Sequence, residues 1–202
     1  WNQDYQKSKR ELLFLKKLKT NIQSDTTTFN IRIKENQSSI SKLNIIENEI
    51  NNDKLDRFSI NIIEPLLAVV RINLETTTWE NLKSTGEINL IENDELIDSL
   101  QVYYIQFKNN SQSWMEGFKE YNRNILAPKF FELDDFSMFA PKSEYIDEDI
   151  QKKPPFTYGQ NIFFRNALRY RKGALQSINN TFEDDLIRAR NVLNMLNDEI
   201  NK

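Results

Sequence analysis

The chain has 202 residues, 39% hydrophobic and 28% charged, which is enough apolar surface for one domain with a real core and too much for a disordered chain. Its formal net charge of -3 supplies no global positive field to recruit nucleic acid. There is no cysteine, hence no disulfide or thiolate site, and no histidine, which removes the commonest metal ligand and general base and with them ordinary zinc and triad chemistry.

In chain order, Leu15, Leu18, Ile22, Thr26, Phe29, Ile33, Ile40, Leu43, Ile46 and Ile50 recur mostly three or four apart without an intervening Gly or Pro. This spacing predicts one helix over about Gln3 to Asn51. At about 1.5 Å per residue it is on the order of 70 Å long. Ser24 to Thr28 is its weak middle, where poor helix formers leave a kink or break as the alternative. A second helix is expected over about Asp56 to Asn73, apolar on most sides through Phe58, Ile62, Ile63, Leu66, Leu67, Val69 and Val70. Pro65 predicts a kink near Ile62 to Pro65, or a helix that starts just before it.

Trp79 to Tyr104 reads as a corner. Trp79 and Leu82 share one face of a short helix, and Gly86 follows where a helix end can take a positive φ. Ile88, Leu90 and Ile91 form a run too short for a strand. Asn93 then offers a side-chain oxygen to cap a third helix, and Asp94 and Glu95 favour its positive end. That helix is expected from Asp94 to about Leu126, with Pro128 ending it. Its polar middle, Lys108 to Ser113, predicts exposure or a local distortion. Its aromatics make Tyr103, Tyr104, Phe107 and Trp114 a candidate ligand cavity, although aromatics at helical spacing more often fill a core.

Lys129 to Pro155 is irregular, with three prolines and several phenylalanines. Its acidic run Glu144, Asp147, Glu148 and Asp149 lacks the alternating ligands and glycine of a known calcium loop, and is a candidate docking element for a partner. The last helix is expected from about Gly159 to Asn201. Near its start Arg165, Arg169 and Lys172 fall about one turn apart, with Arg171 beside them. They form a candidate patch for an anion or an acidic partner, or for the chain's own acidic loop.

Three stretches carry a resemblance. LKSTGEINLIENDELIDSLQVYY resembles the central signature of a family of single-pass membrane proteins of unknown function, common in Bacteroidota. The opening WNQDYQKSKRELLFLKKLKTNIQSD is similar to the segment after that family's transmembrane helix, and FFRNALRYRKGALQSINNTFEDDLIRARNVLNML to its closing helix. Leu133 to Pro155 lies outside the resemblance. It implies no catalytic residue and no ligand. It does imply a membrane anchor N-terminal to these residues and a domain on the periplasmic side of the inner membrane.

The residues themselves also point to a membrane. Trp1 and Tyr5, followed by Lys7, Lys9 and Arg10, suit a helix leaving a bilayer, with aromatics at headgroup depth and basic groups beyond. The basic run Lys7 to Lys19 pulls against a periplasmic placement under the positive-inside rule. No internal stretch approaches the roughly 18 to 20 apolar residues that span a bilayer.

The expected fold is all-α: an elongated antiparallel four-helix bundle forming a single domain, whose long first and last helices make a membrane-proximal stalk. Residues 1–22 with 180–202 are the stalk, and 23–179 the head, including an irregular loop over 129–157. The first strip carries six basic and two acidic residues and the second three basic and five acidic, so the two are charge-complementary. No cofactor, no metal and no catalytic constellation is expected. The functional expectation is a non-enzymatic, membrane-tethered module that docks a protein of the cell envelope. The alternative is a receptor-like sensory domain with a small ligand at the aromatic third helix, an analogy at the level of fold alone. The stripe on the first helix serves a second copy of the chain as readily as its own bundle.

Overall fold

A computed structural model describes residues 2–52, 60–129 and 161–202. Among them every regular element is helical, and the first and last helices are by far the longest. The elements are α1 (Asn2–Asn51), α2 (Ile60–Leu67), α3 (Thr77–Ser84), a 3₁₀ turn (Glu87–Leu90), α4 (Asp94–Gln106), a π turn (Phe107–Gln112), α5 (Ser113–Tyr121), a second π turn (Asn122–Leu126) and α6 (Ile162–Ile200). None of these helices is long and apolar enough to cross a membrane.

Helix α1 runs unbroken through Ser24 to Thr28. The hydroxyls of Thr26 and Thr27 donate to the Gln23 carbonyl and that of Thr28 to Ser24, so the threonines bond back along the helix instead of ending it. The inward stripe supplies the stabilisation that propensity lacks: Leu15, Leu18, Ile22, Asp25, Phe29, Ile33, Asn36, Leu43, Ile46 and Ile50 are all buried. Asp25, not the expected Thr26, takes the buried place between Ile22 and Phe29.

Helix α2 ends at Leu67, six residues short of the predicted Asn73, and residues 68–76 have no regular structure. The apolar Val69 and Val70 looked helical by composition. They are β-branched residues that gain little from a helix, and side chains from elsewhere in the fold take the carbonyls that end α2. Pro65 lies inside α2, two residues before its end.

The corner forms as read. Gly86 adopts φ 73°, and Asn93 caps α4 by accepting from the Leu96 N–H at 3.1 Å. From Leu96 to Leu126 the buried positions are Leu96, Leu100, Tyr103, Tyr104, Phe107, Ser111, Met115, Phe118, Asn122 and Leu126. A stripe that steps repeatedly by four drifts off one face of an α-helix, because four residues turn about 400° at about 3.6 residues per turn. The runs Tyr103, Phe107, Ser111, Met115 and Phe118, Asn122, Leu126 step by four, and each contains one of the two π turns. The wider turns absorb the drift and keep these side chains inward. The predicted distortion over Lys108 to Ser113 is therefore a π turn, with Ser111 buried inside it. The expected stop at Pro128 is not seen, since 127–129 are still helical.

The described chain divides into two compact units. The first comprises Trp1–Lys34, Arg71–Ser113 and Asn179–Lys202, and the second Glu35–Val70 and Trp114–Ile178. In the first unit Phe29 packs between Phe107 and Phe182, with ring centroids at 6.0 and 5.7 Å. The terminal strips do not stand there as two helices alone. Lys7 pairs with Glu92 at 3.0 Å, Arg10 with Glu87, the Glu92 N–H donates to Glu11, and Asn93 donates to Glu199. The connection between α3 and α4 thus meets both strips, and it takes two of the six basic side chains of the first strip, Lys7 and Arg10.

Candidate functional site

In the first unit two carboxylates sit on apolar stripes. Asp25 on α1 is 2% exposed; its Oδ1 accepts from the Glu75 N–H at 3.1 Å and its Oδ2 from the Tyr103 hydroxyl at 3.0 Å. Burial pushes this carboxyl up to about 6, against the opposing effect of those two hydrogen bonds. Tyr103 and Tyr104 are both raised, first by burial and then by the Asp25 charge. The Tyr104 ring stacks on Trp79 at 5.6 Å, and its hydroxyl donates to the Glu75 carbonyl. Asn21 donates to the same carbonyl at 3.2 Å and to the Thr78 hydroxyl at 3.0 Å. The Glu75 backbone is thus held at both its N–H and its carbonyl.

Asp185 on α6 is 0% exposed. It accepts from the Ser111 hydroxyl at 2.5 Å and from Arg188 at 2.8 Å. Burial raises its carboxyl, opposed by Ser111 and Arg188. The first π turn therefore has a chemical task as well as a geometric one, which is to present the Ser111 hydroxyl to Asp185.

An open groove of about 480 Å³ crosses this unit, lined by Leu13, Lys16, Lys17, Thr20, Asn21 and the start of α3 at Thr77 and Thr78. Its lysines, Thr20 and Thr77 are exposed side chains, and Asp25 is not among the lining residues.

In the second unit the residues of the predicted patch lie along α6. Lys172 is engaged by Glu47 and by Asn44. Arg165 is half-buried and Arg169 is exposed. The basic residue that does most for the fold is Arg171, which the sequence reading set aside. It is 1% exposed, donates from Nε to the Pro65 carbonyl at 2.9 Å and from Nη2 to the Ala68 carbonyl at 2.5 Å, and lies 4.0 Å above the Phe118 ring. Asn122, in the second π turn, donates to the Leu67 carbonyl at 3.1 Å. Together these groups satisfy the end of α2, where a cation also meets the negative end of the helix dipole. Burial lowers the guanidinium to about 9.

The four aromatics of the expected cavity have different settings. Tyr103, Tyr104 and Phe107 are core residues committed to Asp25, Trp79 and Phe29, whereas Trp114 is 45% exposed. Glu144, Asp147, Glu148 and Asp149 lie outside the described residues.

The sequence did carry a signal for the residues it missed. Phe164, Leu168, Arg171, Leu175, Ile178, Phe182, Asp185, Ala189, Val192 and Leu196 alternate steps of four and three, and all are buried. Arg171 and Asp185 are the polar occupants of that stripe, as Asp25 is of the stripe on α1. A polar residue in register with an apolar stripe is a side chain that must find a partner inside. No protein-family model, no curated protein and no solved structure matches the chain.

Proposed function

We propose that this chain is the extracytoplasmic part of a membrane-tethered helical-bundle module that docks another protein of the cell envelope and carries out no chemistry of its own. The observation that carries the reading is the outward face of α1. Its inward stripe is closed, yet Tyr5, Leu13, Ile31 and Ile45 are each more than half exposed. An exposed aromatic with Lys7, Lys9 and Arg10 just beyond it fits a helix that emerges from a bilayer, and the exposed apolar residues further along fit a docking face. The resemblance to single-pass membrane proteins of Bacteroidota supports the same placement, with the module on the periplasmic side of the inner membrane.

Contacts of Lys172 with Glu47, near the start of α6 and the end of α1, and of Phe182 with Phe29 support an antiparallel pairing of those helices within the bundle. The buried ionisable side chains Asp25, Asp185 and Arg171 are all engaged in hydrogen bonds that hold elements together, which favours a structural use over turnover of a substrate. The acidic run Glu144 to Asp149 is the proposed docking element by its charge.

The test is a mass-resolved pull-down of the full-length protein from mild detergent, beside a variant with Glu144, Asp147, Glu148 and Asp149 changed to Ala. One stoichiometric partner, lost in the variant, is the expected result. A protein that elutes alone contradicts the reading.

A further inference from the structure

In the first unit the segment leading into α3 is held to α1 and α4 by hydrogen bonds at the backbone of one residue, Glu75. The Glu75 N–H is held by Asp25 of α1, and the Glu75 carbonyl by Asn21 of α1 and Tyr104 of α4. The holding carboxylate is nearly inaccessible to water, and no basic side chain is among the groups that act on it. The Glu75 charge repels it. From α4 it faces Tyr103 and Tyr104. Beyond Tyr103 lies Asp185 of α6, with Arg188 and Asp184 at its side, and Glu80 of α3 acts on Tyr104. A buried carboxylate in such company costs free energy while ionised, and a proton is the ligand that relieves it.

We propose that Asp25 is a proton-operated latch: protonated, it clasps the Glu75 peptide to α1 and α4, and ionised, it lets the α2–α3 connection open more readily.

Both contacts survive protonation. A proton on Oδ2 is donated to the Tyr103 oxygen, whose own hydrogen then turns away from Asp25, while Oδ1 still accepts from the Glu75 N–H. The charge disappears and the geometry stays. In the open state Asp25 meets water and returns to its ordinary value of 3.8, whereas closed it sits at about 6. Between those values the closed state binds the proton more tightly, so acid favours closing. Opening rises as pH climbs through that window and levels off above it.

The experiment is amide hydrogen exchange of the whole chain, read at Glu75 as a protection factor so that the intrinsic pH dependence of exchange cancels. Between about pH 4 and about pH 7 the protection at Glu75 should fall on the order of 100-fold. In Asp25→Asn, whose amide keeps both contacts without the charge, the profile should be flat. Tyr103→Phe removes a hydrogen bond that favours the ionised form, so its window should move to higher pH. The latch is overturned by a flat wild-type profile, by an Asp25→Asn profile with the wild-type slope, or by a slope shared equally by every amide of the unit. Should Asp25→Asn fail to fold, Tyr103→Phe decides, since an unmoved window also overturns it.

Discussion

Ser111→Ala tests why the helix widens after α4. The exchange removes one hydroxyl from the π turn and leaves Oδ2 of Asp185 without its 2.5 Å donor, in a place where the carboxylate is 0% exposed. Arg188 still serves Oδ1 and does not replace the lost bond. A hydrogen bond to a charged group contributes about 1.5–3 kcal/mol, and an orphaned buried acceptor costs a similar amount, so the expected loss at neutral pH is about 2–3 kcal/mol. The cost should depend on pH, with a definite sign. Burial already raises the Asp185 carboxyl and Ser111 opposes that rise, so the variant's carboxyl is raised further. A raised native value means that the folded state takes up a proton before the unfolded state does, and uptake removes the orphaned charge. The loss should therefore shrink as pH falls toward about 4. Urea unfolding followed by circular dichroism at both pH values measures it, with Asp185→Asn and the double variant completing a cycle. A loss below about 0.5 kcal/mol at neutral pH, or one equal at both pH values, would separate the π turn from this hydroxyl and refute the reasoning.

Other outcomes follow from the same contacts. Asp25→Asn should be more stable than the wild type at neutral pH, by up to about 3 kcal/mol, because a carboxyl raised from 3.8 to about 6 makes native stability decline as pH rises through that window. The two proteins should converge near about pH 4, and a variant that unfolds earlier at neutral pH contradicts the assignment. Arg171→Lys keeps a cation but not the fork that reaches both the Pro65 and Ala68 carbonyls, and should cost about 1–3 kcal/mol in a denaturant midpoint. An unchanged midpoint would show that these bonds do not secure α2. Gly86→Ala places a side chain at φ 73° where nothing lies within 4 Å of the new Cβ, so only the backbone term of about 1 kcal/mol is expected. A loss several times larger would mean that the 3₁₀ turn and the α4 cap depend on that residue.

Much of the fold could be read from residue spacing, and the departures have physical causes. The extent of α1 followed from its stripe, and its weak middle holds because burial of Ile22 and Phe29 outweighs the poor propensity of the threonines between them. The Gly86 stop and the Asn93 cap were local, and local chemistry sufficed. The early end of α2 was not legible, since the side chains that accept the duty of satisfying its last carbonyls, Arg171 and Asn122, lie more than fifty residues away. The π turns were half legible. Polar residues over Lys108 to Ser113 signalled a distortion, but its form followed from buried positions four apart, which only the packed structure reveals. The candidate sites fared differently. Attention went to Arg165, Arg169 and Lys172, about one turn apart, with Arg171 named only as their neighbour and Asp25 and Asp185 passed over. These last three occupy stripe positions, and each has a partner distant in sequence: Glu75 and Tyr103 for Asp25, Ser111 for Asp185, and the Pro65 and Ala68 carbonyls for Arg171. Of the aromatic residues singled out on the third helix, Tyr104 and Phe107 pack against Trp79 and Phe29, whereas Trp114 is exposed.

The central claim is that the outward face of this module receives another protein. It is tested most directly by placing a photo-activated cross-linking residue at Ile31, which is 51% exposed on α1, in the full-length protein in its native membrane. The account predicts one discrete adduct with a different envelope protein, absent when the same residue is placed at the buried Leu43. No adduct at Ile31, or one formed only with a second copy of this chain, would contradict it.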